Sequence, residues 1–134
     1  MSSDGKPADV RPVLQIGEVA ARTELSLRSL RHWEDVGLLR PSGRTDGGFR
    51  LYTESDVEKI LVIRRMKPLG FTLEEMGAVM RDLEALDAAT AEAAAAVRRR
   101  LAVVLQEATG RREQLARQLA MADEFIGLLD EQCS

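Results

Sequence analysis

Arg28, Ser29, Arg31 and His32 fall within five consecutive positions, interleaved with Leu30 and flanked by Leu27 and Trp33. On a helix, Leu27, Leu30 and Trp33 recur at three-residue spacing, which predicts a shared inward face. Arg28, Ser29 and His32 then lie on the opposite side, with Arg31 at its margin. A helix fits the major groove of DNA, where arginine pairs bidentately with guanine and serine bonds base or phosphate. The competing reading is a solvated face, because charged outer faces are common on surface helices.

Arg44, Arg50 and Tyr52 form a second group, around a turn-rich stretch at residues 42–48 that holds Gly43, Asp46, Gly47 and Gly48. Arginines on a protruding hairpin can reach phosphates or the minor groove. Arg44 could equally serve solubility, and Arg50 could pair internally with an acid such as Glu34. Tyr52 could pack its ring and leave its hydroxyl in water. Material for other chemistry is scarce. One histidine, His32, and one cysteine, Cys133, exclude a disulfide framework and leave little for a catalytic triad or a metal site. No enzyme activity, metal or cofactor is expected. Cys133 reads as a free thiol at a frayed end.

The elements that must hold these groups can be placed from capping and periodicity. A short helix is expected over residues 17–22, with Ile16, Val19 and Ala20 apolar. Ser26 is a good N-cap for a second helix, running to about Val36. Gly37 follows, where the backbone turns left-handed. Two helices joined this way make a helix-turn-helix. Strands near residues 39–40 and 49–52 would form a hairpin wing. Thr53 opens a third helix, with Asp56 as its partner in a capping box. Pro68 and Gly70 end or kink that helix, and Thr72 with Glu75 starts a fourth through Leu83. An alanine-rich stretch at 85–96 bridges into the last element.

From Val97 the apolar positions are Leu101, Val104, Ala108, Leu115, Leu119, Ala122, Ile126 and Leu129. With Arg112 filling the gap, their steps alternate between four and three, with one slip, as in a coiled-coil seam with a stutter. A lone helix would expose that stripe, so a partner helix is implied. Charge divides along the same lines. Residues 13–70 carry a net +2 and residues 71–134 a net −5, within an overall −3. A mildly basic front suits a local nucleic-acid footprint. The Arg98-Arg99-Arg100 run reads as a solvated or ion-paired helix face. No apolar run approaches the ~20 residues of a membrane span, and residues 1–11 lack a signal-peptide layout, so a cytoplasmic protein without membrane attachment is expected.

Several spaced stretches resemble, in order, the MerR family of bacterial transcriptional regulators. They are Ile16-Gly17-Glu18-Val19-Ala20, Leu30-Arg31-His32-Trp33-Glu34, Gly37-Leu38-Leu39, Pro41, Arg44, Gly48-Phe49-Arg50-Leu51-Tyr52 and Leu69-Gly70-Phe71. The resemblance covers residues 14–83 in detail and 84–130 in layout. It implies a mainly α fold with a winged helix-turn-helix domain, then a long coiled-coil dimerisation helix that pairs antiparallel. It also implies a homodimer on double-stranded promoter DNA, bent and untwisted so that the promoter elements realign for RNA polymerase. Carried over by position, it puts Arg28 and Ser29 at the groove. His32 and Trp33 stand where the family usually has two tyrosines that touch the backbone. Arg44, Arg50 and Tyr52 fall on the wing, and Lys67 where a basic residue meets phosphate.

The expected organisation is a disordered leader (1–13), the DNA-binding domain (14–83), linker and dimerisation helix (84–131) and a tail (132–134). The dimer seam would use Leu101, Val104, Leu115, Leu119, Ala122, Ile126 and Leu129. Neither the cysteine-bearing loop of metal-sensing members nor the ligand domain of drug-sensing members is expected, and no effector is assigned. The alternative function is a coiled-coil adaptor whose helix-turn-helix does not read DNA.

Overall fold

The computed structural model describes residues 13–134. Apart from Val13, which is exposed, the expected leader lies outside the described residues. In order, the elements are strand β1 (Leu14–Gln15), helices α1 (Ile16–Thr23) and α2 (Leu27–Asp35), strands β2 (Gly43–Arg44) and β3 (Arg50–Tyr52), and helix α3 (Glu54–Met66). A 3-10 turn (Lys67–Leu69) precedes helices α4 (Leu73–Ala88) and α5 (Ala91–Cys133). Two compact units result, the first ending at Met66 and the second spanning Lys67–Ser134.

In the first unit the turn between α1 and α2 carries the main conformational cost. Glu24 takes a left-handed backbone at φ 58°, the one non-glycine to do so among the described residues. The Leu25 amide closes α1 by donating to Ala20 O at 3.1 Å. Ser26 then caps α2, its Oγ accepting from the Ser29 amide at 3.0 Å. At the far end Gly37 turns at φ 81°, a region that glycine enters without a Cβ clash. Leu14, Val19, Leu30, Trp33, Leu39, Tyr52, Val57, Ile60 and Ile63 are buried in this unit.

The wing differs from expectation in register. Its first strand is Gly43–Arg44, not 39–40, because the Leu38 and Leu39 amides donate to Trp33 O and finish α2, while the Leu39 side chain enters the core. The sheet has order β1-β3-β2 and is antiparallel throughout, with Leu14 opposite Tyr52 and Arg44 opposite Arg50. The two-residue β1 was not anticipated, since a strand that short carries no period-2 signal. The capping box at α3 is present: Thr53 Oγ1 accepts from the Asp56 amide at 3.2 Å, and Asp56 Oδ2 accepts from the Thr53 amide at 3.0 Å. Asp56 is buried and also receives the Ser42 hydroxyl, which joins the root of the wing to α3.

In the second unit, Gly70 (φ 79°) follows the 3-10 turn, and Thr72 and Glu75 complete the expected capping box of α4. The alanine-rich stretch is helical on both sides of a break at 89–90, because alanine is the strongest helix former. Thr90, which the sequence reading passed over, caps α5 by accepting from the Ala93 amide. α5 has 43 residues, about 65 Å at 1.5 Å per residue. Its early face packs on α4: Ala94 and Val97 are buried, and Leu101, Val104, Ala108 and Arg111 continue half-buried in the same register. Arg100 pairs with Asp82 of α4 at 2.9 Å. Residues 112–134 are exposed throughout.

Candidate nucleic-acid interface

The outward face of α2 is set from behind. Leu30 and Trp33 are buried, at 0% and 3% exposure, which fixes the rotation of the helix. Leu27 does not share that face: at 39% exposed it sits in the first turn, ahead of the core. Arg28, Arg31 and His32 are exposed, and among the described residues their side chains make no ion pair or hydrogen bond. Ser29 is half-buried, and its hydroxyl accepts from Ser26 Oγ at 3.0 Å while keeping its own proton for another acceptor. Trp33 packs inward, so it offers no ring to an external partner in this arrangement.

Arg64 of α3 steadies the turn that aims α2. Its guanidinium donates to Thr23 O at 2.5 Å and lies 3.7 Å from the Glu24 carboxylate. The last carbonyl of α1 thereby gains a charged donor at the site of the strained φ. Arg22 and Glu54 form a two-pronged pair, 2.6 Å at each contact, between α1 and α3. That bond holds Glu54 below the usual carboxylate range and Arg22 above its ordinary value. No sequence signal marks the Arg64 contact, because residues 41 apart meet only after folding.

On the wing, Arg44 and Arg50 converge on one carboxylate. Glu34, from the last turn of α2, accepts from Arg44 Nη2 at 3.1 Å and from Arg50 Nε. The internal pairing weighed for Arg50 is therefore present, and Arg44 shares it. The Glu34 bond also holds the Arg50 guanidinium above its ordinary value. Arg44 donates further to Gly48 O at 3.1 Å, across the tip of the hairpin. For Tyr52 the packed ring weighed as an alternative to a DNA contact is present, but its hydroxyl is not in water. It is wholly buried, and its Oη has no partner among the described residues, so it serves the core and not the surface. Burial raises its pKa, with the Glu34 charge adding to the effect. Arg40, which sequence reasoning missed as a candidate, is exposed and unpaired among the described residues.

Lys67 belongs to the second unit, where it is exposed at the start of the 3-10 turn. Arg111 of α5 braces that turn. It donates to Leu69 O at 3.2 Å, stacks 4.3 Å from the Phe71 ring centre and reaches Glu107 at 3.1 Å and Glu75 at 3.6 Å. Of the residues assigned to a seam, Leu101 and Val104 lie on the half-buried face that meets α4. Leu115, Leu119, Ala122, Ile126 and Leu129 are exposed, as are Met121, Phe125 and Leu128, which the seam had left out. Cys133 is exposed and free. Among the described residues no group of His, Cys, Asp and Glu is placed to hold a metal, and no helix is long and apolar enough to cross a membrane.

Residues 14–83 match the pattern of the MerR HTH family regulatory proteins. The regulator CueR of Yersinia pestis is 30% identical over 114 residues, covering 85% of this chain and 82% of that protein. An uncharacterized HTH-type transcriptional regulator of Pseudomonas aeruginosa is 40% identical over 67 residues, half of this chain and 51% of that protein. The chain thus spans about half the length of that relative, and a third or less of others it matches. The fold is shared with HiNmlR, described as a MerR family regulator lacking the sensor domain, bound to promoter DNA. The TM-score is 0.65 at 20% identity, covering 84% of this chain and 80% of that one.

Proposed function

The chain belongs to the MerR helix-turn-helix family of regulatory proteins, and from that premise we propose that it regulates transcription as a homodimer on double-stranded promoter DNA. α2 enters the major groove, with Arg28 and Ser29 at base edges and Arg31 and His32 near the backbone. Arg44 and Arg50 of the wing, and Lys67, meet phosphates. Residues 14–83 act as the DNA-binding domain and the exposed end of α5 pairs antiparallel with its copy. The dimer bends and untwists its operator, and acts on RNA polymerase through the promoter, in the bacterial cytoplasm.

The observation that carries this reading is the outer face of α2. Three potential donors, Arg28, Arg31 and His32, stand exposed and without intramolecular partners among the described residues, while Leu30 and Trp33 lock the helix behind them. HiNmlR, which shares this fold, is bound to promoter DNA, and that supports duplex DNA as the partner proposed here.

The test is selection of duplexes from a randomised pool by the full chain, followed by genome-wide mapping of bound sites. A roughly palindromic site, bound with steep salt dependence, is expected, because a two-fold protein presents two mirrored recognition helices. Failure to enrich any sequence would favour the adaptor reading, in which the chain acts through its coiled coil alone.

A further inference from the structure

Arg44 and Arg50 are direct cross-strand partners on the wing hairpin. Like charges placed opposite one another on a sheet repel and destabilise the pair. Here the repulsion is relieved from outside the sheet, because the Glu34 carboxylate takes one donor from each arginine. Glu34 is itself only 13% exposed, so it faces the wing and not solvent. The bond to Arg50 uses Nε. Both terminal Nη groups of Arg50 are left without a protein partner among the described residues. Arg44 gives one N–H of Nη1 to Gly48 O and one of Nη2 to Glu34, which leaves its other N–H groups for an external acceptor. A guanidinium held from the Nε side has its bidentate edge preset, and little rotamer entropy remains to be lost when that edge meets an anion.

An acid so near a surface that must meet phosphate is at first sight a liability. The geometry points to a different part: Glu34 is a positioning residue that holds the two wing arginines side by side, so that Arg50, and with it Arg44, meets the DNA backbone in a preset orientation. This rests on the DNA-binding reading above and deepens it. It also couples the wing to the recognition helix, since Glu34 lies one residue beyond Trp33 in α2 and its carboxylate reaches both strands of the hairpin.

The test uses the full chain and a duplex selected from a randomised pool by the wild-type protein. Affinity is measured against salt for wild type, Glu34→Gln, Arg50→Gln and the double variant, with circular dichroism confirming the fold. Glu34→Gln should weaken binding about ten-fold at low salt, the size of one strong coupling. It should flatten the log–log salt slope by about one to two units as phosphate contacts are lost, with the base preference unchanged. The double variant should bind no more weakly than the poorer single one, because Glu34 acts through the arginines. Tighter binding with a steeper slope in Glu34→Gln would show that the carboxylate masks the arginines, and overturns the inference. So does unchanged binding beside a lowered melting temperature, which would leave Glu34 a purely structural role. If Glu34→Gln does not fold, Glu34→Asp keeps the charge but shortens its reach. It should give the same loss at smaller size, and unaltered binding there also overturns the inference. A wild-type chain that binds no duplex would instead remove the DNA-binding reading.

Discussion

At the residue scale, position within a helix decides what an arginine can read. Arg28 is the second residue of α2, in the first turn after the Ser26 cap, the end that points into the groove in helix-turn-helix docking. Arg28→Ala should cost about 1–3 kcal/mol of discrimination at one or two base pairs per half-site. Competition among randomised half-sites, at matched salt, measures it. Uniformly weaker binding with an unaltered base profile would make Arg28 a backbone contact. Lys67 is expected to behave in that second way: Lys67→Ala should weaken all sequences alike and lower the salt slope by about one unit. A change in base preference at a single position would contradict that assignment. Trp33 and Tyr52 contribute from the core, so any effect of their substitution on binding should travel with a loss of thermal stability.

At the scale of elements, caps and ion pairs set the angle at which α2 is presented. Ser26→Ala removes the acceptor of the Ser29 amide and should cost about 1 kcal/mol, visible as a melting temperature several degrees lower. An unshifted midpoint would mean that water replaces the cap without penalty. The Arg22–Glu54 pair between α1 and α3 adds a pH signature. Because Glu54 is held below its usual range by Arg22, its stabilising contribution is present above the unfolded carboxylate pKa. It is lost as pH falls through the depressed value. The stability gap between wild type and Glu54→Gln, modest for so exposed a pair, should therefore be open at neutral pH and close in strong acid. Denaturant midpoints across pH measure it, and a gap that widened on acidification would contradict the pairing.

At the scale of the whole molecule, the end of α5 is the feature a single chain leaves unfinished. Leu115 (41% exposed), Leu119 (64%), Ile126 (62%) and Leu129 (44%) form a stripe at alternating spacing beyond the part of α5 that packs on α4. Stripes of this kind on a long helix are buried by a second helix. Leu115→Glu or Leu119→Glu should put charge in that seam and give monomers, whereas wild type is expected to sediment as a dimer at micromolar concentration. A monomeric wild type in analytical ultracentrifugation would remove the homodimer, and with it the expected palindromic operator.

The starts of α1 to α4, the glycine turn after α2, the capping boxes at Thr53 and Thr72 and the inward set around Leu30 and Trp33 were legible in the sequence. Each depends on residues within about one helical turn of one another, so local spacing carries the physics. The family pattern was legible for the same reason, as short stretches in order. Only the tertiary structure decided the rest. It moved the first wing strand to 43–44, because the Leu38 and Leu39 amides close α2 on Trp33 O. It added β1, which exists through pairing with β3. It buried the Tyr52 hydroxyl and turned Leu27 outward. It left Leu101 and Val104 half-buried, in register with the buried Ala94 and Val97. It joined Arg44 and Arg50 on Glu34, and Arg64 on Thr23 O. Apart from the local closure of α2, these contacts link residues well separated along the chain, and what side chains such as Arg44 or Leu101 meet depends on which elements the fold brings beside them.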